Sequence, residues 1–504
     1  MGKQQYEITC SIEQPRAEIV DRYGRFLAMN KESVAAFILP RQIENRANLT
    51  RFLKNNFPSA FKRLADYNDS YFMYVKRRLT AEQIELITKS GITDVKLLNE
   101  PSRYYPAPSA GAVVGITDID NKGLFGIELS FNQQLAGVPT VAFLEKDARS
   151  GHFCFNQYTK VTGIKSEPIQ LTLDSDLQFF AQEELNASIE KHHAKEGMII
   201  IMNPRNGDIL AMVQTPHFDP NNTVEIDLEQ TKNKIIANTY ELGSVFKVFT
   251  ALAALEEGVV TPDELIDCRN VTTTYIDGRK INTVPSTVRG EITFDQVIAT
   301  SNNIGIALVA NRLGDRLYEH YLRLGFGQKI ELSLSGENKG FVNDPSNWSK
   351  QSIFSLSYGY EVSANLLQLA RAFSIIANDG CDVHPRIILK ENVSSCKRLY
   401  KHETIEKIRS ILETTTMQGT ARKAAIKGYR VMSKTGTANL IENGIYNPHK
   451  NIFTCAGIVE KGDYQRVIVT FIKETEKSNL YASMVAAPLF ERIAQKVLIH
   501  DKIL

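Results

Sequence analysis

The run Gly243-Ser-Val-Phe-Lys-Val-Phe-Thr-Ala-Leu-Ala-Ala-Leu255 limits this chain more than any other. A helix that is apolar on every side belongs inside a core. Residues 245–255 therefore predict a helix running through a domain, with its N-terminal end at a cleft. Gly243 supplies the tight turn that starts it. Ser244 and Lys247 stand three apart on it, so they share one face. Serine is a weak nucleophile until a base takes its proton, and a lysine with a depressed pKa can serve. A Ser-x-x-Lys pair alone is weak evidence, since many exposed helices carry one by chance.

Two further motifs follow in order, Ser301-Asn302-Asn303 and Lys434-Thr435-Gly436-Thr437. Each residue has a plain reading in isolation. Ser301 can cap a helix, Asn303 can close a turn, Lys434 can be a solvated strand residue, and Gly436 can relieve strand twist. One constellation uses them all. Ser244 is the nucleophile, and its own N–H at a helix start is free to face a cleft. Thr437 supplies a second N–H for an oxyanion. Lys247 is the general base, its ammonium form disfavoured by burial and by Lys434 nearby. Lys434 also attracts a substrate carboxylate, which Thr435 and Thr437 can meet with hydroxyls. Ser301 relays a proton, Asn303 holds a substrate amide, and Gly436 lets substrate backbone approach the strand.

The chain has 504 residues, enough for two to four domains. A formal net charge of +2 and the lack of basic runs interleaved with aromatics argue against a nucleic-acid groove. Six cysteines and nine histidines are scattered without metal-ligand spacing, so no metal is expected. The cysteines read mostly as buried or incidental thiols, with pairing left open by their even number. No apolar run is long enough to span a bilayer, and residues 1–6 lack a signal-peptide core.

Along the chain, Ile19 lies in a short strand before a turn at Tyr23-Gly24. Residues 50–95 predict helices. Ala112 to Ile116 predicts a strand, and Gly126 opens a helix that ends near Gly137. A boundary falls between about 155 and 170. Beyond it come a strand at 169–173, an amphipathic helix at 174–191, and an apolar hairpin at 197–202 and 209–213. Helices follow at 295–309 (broken at Ser301), 366–376, 403–414 and 421–426. Strands are predicted at 431–438, 453–458 and 466–472, and a last helix at 482–499 is broken or kinked at Pro488. The fold class is multidomain α+β/α/β, its C-terminal part a mostly antiparallel central sheet with helices on both faces and a helical subdomain.

The three motifs resemble those of class B penicillin-binding proteins, the monofunctional peptidoglycan transpeptidases. Tyr240-Glu-Leu-Gly-Ser-Val-Phe-Lys247 is similar to that family's nucleophile segment, with Leu242 where proline is usual. Further similarity lies in Leu171–Gln178, Pro204–Met212, Tyr358-Gly-Tyr360 with Leu366–Ala370, and Gly419-Thr-Ala421. In the N-terminal part it lies in Arg16, Asp21-Arg22 and Gly24. Ala17, Glu460 and Ala482-Ser483 depart from the family pattern without removing a catalytic group. The resemblance implies an elongated, non-catalytic, dimerisation-type pedestal over residues 1–160 and a penicillin-binding transpeptidase domain over 165–504.

It also implies the activity. A stem peptide ending in D-Ala-D-Ala acylates Ser244 with loss of D-Ala, and a neighbouring stem's amine then forms the cross-link. β-Lactams are expected as covalent inhibitors, and no cofactor is expected. Arg103-Tyr-Tyr-Pro106, Val114–Asp120 and Gly126–Leu129 resemble the septal division type rather than the elongation type, which is the alternative. A β-lactamase, a β-lactam sensor and a non-enzymatic division scaffold are weaker readings. Expected partners are glycan-polymerising and division proteins. The resemblance further implies an anchor in the inner (cytoplasmic) membrane by an N-terminal helix outside this sequence. The catalytic domain would then lie on the periplasmic side, and the chain without that helix would be soluble.

Overall fold

The computed structural model describes all residues except 1–6, 13, 68, 147–152, 223–226, 285–286, 443, 478 and 504. Side chains of 7–12, 140–146 and 153–161 also lie outside the described set.

The N-terminal region is built on a small sheet. Strand β1 (Ile19–Val20) pairs antiparallel with the long β2 (Phe26–Ile38), which also carries β3 (Met73–Lys76) and β4 (Lys96–Tyr104). Helices Arg46–Asn56, Pro58–Leu64 and Ala81–Ser90 cover one end of it. Their inward residues Leu49, Phe52, Leu53, Phe57, Leu64 and Ile87 pack on Ile38, Met73 and Val75. The helical reading of 50–95 thus holds over these three helices and fails at the turns between them and at β3, a four-residue strand. Its alternating burial is too short a pattern to stand out between two helical ones. Residues 111–114 are a helical turn, not the predicted strand. Gly115 follows at φ 82°, where an added Cβ would lie 1.8 Å from Phe125 O. The missing Cβ admits that approach, and the left-handed φ at Gly115 interrupts an extended run there. Helical turns at Gly126–Ser130 and Asn132–Ala136 end at Gly137, as the sequence indicates.

Strand β5 (Ile169–Gln170) runs parallel to β1 and joins the two parts of the chain. The junction is strongly tied. Asp21 accepts from the Ser175 N–H and hydroxyl, while Arg25 spans Asp21, Asp174 and Asp176. Behind it, Arg16 and Arg103 clamp the fully buried Glu128 at 2.6 and 2.7 Å. Buried charge of this kind persists only when paired on all sides.

The larger domain centres on a five-stranded, wholly antiparallel sheet. Its order is β7 (Ile209–Thr215), β6 (Glu196–Met202), β10 (Tyr464–Lys473), β9 (Ile445–Lys461) and β8 (Arg430–Glu442). Successive side chains alternate faces. Ile200, Met202, Met432, Ala456 and Val469 enter one core, with α2 (Lys247–Glu256) and α5 (Leu366–Ala377). Ile199, Ile201, Val431, Cys455 and Ile468 enter another, beneath α1 (Ser175–His192) and α7 (Ala486–His500). Burial on both faces explains why Met198–Met202 reads as an unbroken apolar run. Helix α1 starts at the cap Asp174, whose carboxylate accepts from Asp176 and Leu177 N–H. Pro488 lies in the first turn of α7, where a missing N–H costs nothing, so the predicted break is absent. Residues 421–426 hold only a single 3-10 turn, Arg422–Ala424.

Cys381 and Cys396 form a disulfide, a pairing that the even number of cysteines left open. It pins the short strand pair at 381–382 and 397–398. Spacing alone could not single out this pair among six residues. Cys268 and Cys455 are buried thiols, and the side chains of Cys10 and Cys154 lie outside the described residues. Among the described residues no helix is long and apolar enough to cross a membrane.

Candidate active site

Ser244 sits in a 3-10 turn, Gly243–Phe246, that runs directly into α2. Its N–H falls in the first turn, where no helical acceptor exists. Nine of the ten residues of α2 are buried, Lys247 among them. Among the described residues no side chain hydrogen-bonds to the Ser244 hydroxyl.

Lys247 Nζ donates to Ser301 O at 2.6 Å, Ser301 Oγ at 3.1 Å and Asn303 Oδ1 at 2.5 Å. Those acceptors come from the break between α3 (Phe294–Ala299) and α4 (Asn303–Leu313). Ser301 is held at φ 60°, a left-handed conformation that serine rarely adopts. This turn aims both its carbonyl and its hydroxyl at one ammonium. The cap of α4 is Asn302, not Ser301. Its Oδ1 accepts from Ile304 and Gly305 N–H, and its Nδ2 donates to Val288 O. Asn302 escaped the sequence reading, although asparagine before an apolar run is a cap signal. Asn303 is engaged at both ends, because its Nδ2 donates to Asn282 O at 2.6 Å. It orients Lys247, and a substrate amide would have to displace one of these bonds.

Lys434 enters from β8. Its Nζ donates to Ser301 Oγ at 3.1 Å and to Thr435 O at 2.8 Å. Both lysines are fully buried. Burial, reinforced by the Lys434 charge, holds Lys247 well below the usual lysine range. Burial likewise brings Lys434 down to about 7. The geometry therefore joins Lys247, Ser301, Asn303 and Lys434 in one hydrogen-bonded cluster, one turn behind Ser244.

β8 is the free edge of the sheet. Ser433 N donates to a helix side chain rather than to β9, so its N–H points off that edge. Residues two apart point the same way. The pairing runs without a shift from Arg430 to Asn439, so Thr435 and Thr437 share that direction. Thr437 O faces Gly243, where an added Cβ would lie 2.9 Å away. The main-chain groups of Thr437 thus lie against the turn that carries Ser244. Thr435 Oγ1 donates to Thr420 Oγ1, and Thr437 Oγ1 accepts from Ala482 N–H.

Gly436 serves a different neighbour from the one expected. A Cβ there would lie 2.4 Å from Leu242 O and 2.7 Å from Val245 Cγ2. Its bareness admits the nucleophile turn itself. Gly359, at φ 88°, packs against Gly243 from another side, with 2.2 Å from an added Cβ to Gly243 O. The segment Tyr358-Gly-Tyr360 is thereby placed at the site. One acid–histidine group among the described residues, Asp174, Asp176 and His500, is compact enough for a cation. It belongs to the domain junction, and Arg25 already bridges its carboxylates.

A serine with free hydroxyl, a buried lysine behind it and two candidate N–H donors define a serine acyltransferase site. The sequence matches the family described as penicillin binding protein transpeptidase domain over residues 197–495, and the penicillin-binding protein dimerisation domain over 11–171. The chain belongs to the penicillin-binding proteins, in their class B. It is 30% identical over 504 residues to the peptidoglycan D,D-transpeptidase FtsI of Buchnera aphidicola subsp. Baizongia pistaciae, covering 96% of this chain and 86% of that one. It is 29% identical over 497 residues to the probable peptidoglycan D,D-transpeptidase PenA of Neisseria meningitidis, covering 96% and 84%. The fold is similar to penicillin binding protein 3 of Mycobacterium tuberculosis, solved with aztreonam. There the TM-score is 0.75 at 24% identity, over 98% of each chain.

Proposed function

We propose that this chain is a peptidoglycan D,D-transpeptidase that works through a Ser244 acyl-enzyme, most consistent with septal wall synthesis. The observation that carries the reading is the buried Lys247, set one turn behind Ser244 and held by Ser301 and Asn303. In the neutral form, the Lys247 amine accepts the Ser244 proton as the oxygen attacks the penultimate D-Ala carbonyl. The N–H groups of Ser244 and Thr437 hold the oxyanion. Ser301, between the two lysines, passes a proton to the departing D-Ala amine. The acyl-enzyme then transfers to the amine of a second stem peptide. Lys434, Thr435 and Thr437 receive the substrate carboxylate. β-Lactams enter as donor mimics and stay on Ser244.

The septal assignment rests on Arg103–Pro106, Val114–Asp120 and Gly126–Leu129, and on relatives that carry the FtsI name. The pedestal, drawn at residues 1–160, is the region proposed to meet division and glycan-polymerising proteins. The native protein is proposed to sit in the cytoplasmic membrane, with the catalytic domain outside. Incubation with a fluorescent penicillin, followed by denaturation and intact-mass measurement, tests the chemistry. Wild type should retain a covalent adduct, Ser244→Ala none, and Lys247→Ala should react about 10²–10⁴-fold more slowly. An equal adduct on Ser244→Ala would sink the assignment. Imaging of the full-length protein at septum or side wall tests the division role.

A further inference from the structure

The distance between Lys434 and Ser301 has to be set by something outside the three motifs. Lys434 lies on an edge strand, with no strand on its outer side. Ser301 lies in a strained turn between two helices. The C-terminal end of α6 (His402–Met417) reaches both.

Thr416, fully buried on α6, accepts from Ser433 N at 2.9 Å. Its Oγ1 also lies 2.9 Å from Ser433 Oγ, and it donates to Leu412 O at 3.0 Å. One hydroxyl has one proton and two lone pairs. Given to Leu412 O, that proton leaves both lone pairs for Ser433, so the group is fully used. Four residues on, Thr420 N donates to Ala299 O at 3.1 Å, two residues before Ser301. Gly419 packs so tightly there that an added Cβ would lie 2.1 Å from Ala299 O. The same short segment therefore grips the residue before Lys434 and the helix end before Ser301.

We propose that Thr416 is a positioning residue for acylation, holding β8 against α6 so that Lys434 reaches the Ser301 hydroxyl. The proposal rests on Lys247 being the base. Among the described groups, Lys434 is the charge that faces Lys247, and Lys434 itself faces the thiol of Cys455, which burial pushes up to about 12 and so keeps neutral. If β8 draws back, the Lys434 charge acts on Lys247 more weakly. Lys247 then holds its proton to higher pH, and the acid limb of the acylation profile moves up.

The test is the pH dependence of the second-order acylation rate of the full chain with a chromogenic cephalosporin. Thr416→Val removes the acceptor while keeping the shape. It should move the acid limb upward by about half a pH unit and slow acylation on that limb about threefold. Thr416→Ser keeps the hydroxyl and should stay within about twofold, with its limb in place. Ser433→Ala keeps the backbone N–H and should also leave the limb in place. Should Thr416→Val not fold by melting curve, Thr416→Cys provides a weaker acceptor of similar size and should give a smaller upward move. A folded Val or Cys variant with an unmoved limb overturns the proposal, as does a Ser variant as impaired as Val. Lys247→Ala, measured in parallel, separates the two levels. If it acylates like wild type, the base assignment fails; if it is inactive while Thr416 variants are unchanged, only the positioning role fails.

Discussion

Lys247 and Lys434 reach the same oxygen, each with its Nζ 3.1 Å from Ser301 Oγ. Two buried ammonium groups on one hydroxyl repel, and neither has a carboxylate partner among the described residues. The cluster therefore favours a state in which one lysine is neutral, the form a general base requires. Ser301 has two lone pairs for the two donors and one proton of its own to pass on.

The acylation rate should be bell-shaped in pH. Lys247 must be neutral, so rate is lost as pH falls through its depressed pKa. Lys434 must be charged to draw a carboxylate, so rate falls again as pH rises through about 7. A small thioester without a carboxylate should show the acid limb and a weaker basic limb. Stopped-flow rates on both substrates check this. Identical basic limbs would remove Lys434 from carboxylate recognition.

Gly436→Ala should impair the enzyme through its own fold rather than through substrate exclusion. The new Cβ meets Leu242 O and Val245, which belong to the nucleophile turn. Overpacking of this kind costs roughly 1–3 kcal/mol. The melting temperature should drop and acylation should slow for every substrate alike, large or small. A stable variant that discriminates only against bulky substrates would contradict the packing account.

The Cys381–Cys396 bond closes a loop with a sequence separation of 15, for which chain entropy predicts about 3 kcal/mol. Thermal unfolding with and without a reductant, and of Cys381→Ser/Cys396→Ser, should show a lower transition whenever the bond is absent. Acylation of the folded protein at 25 °C should persist. Unchanged melting after confirmed reduction would show that the bond adds no stability.

The parts of the site that lie on strong periodic elements were legible in the sequence. The apolar face-all-round of α2 and the hairpin strands at 197–202 and 209–213 are long patterns, and the first motif falls at the start of α2. What escaped was set by partners distant in sequence. Asn282 O reaches Asn303 from 21 residues away, and Ser433 meets Thr416 through a helix whose threonines look unremarkable in isolation. Gly436 was recognised as necessary, but its neighbour Leu242 lies 194 positions earlier, and no local pattern announces it. The short helix at 111–114 failed for a related reason. Its valines favour a strand, and the tertiary approach of Gly115 to Phe125 overrides them.

Lys434 should weaken the fold that it serves. A lysine brought from 10.5 to about 7 is penalised while it is charged and buried. Below about pH 7 the folded and unfolded chains both hold the proton, and the full penalty stands. Between about 7 and 10.5 the folded chain has released it and the unfolded chain has not, so stability climbs with pH. Above that range the penalty has gone. Lys434→Met fills the same space without a charge. It gives up the hydrogen bonds to Ser301 Oγ and Thr435 O, a loss of roughly 1 kcal/mol each. The charge term is larger, so the variant should melt above wild type at pH 6. Its margin should narrow steadily from pH 7 to 10, while its acylation of carboxylate-bearing β-lactams is lost. Melting curves across that range decide the matter. A wild type as stable as the variant at pH 6, or a margin that does not change with pH, would mean that Lys434 is accommodated in its charged form without penalty.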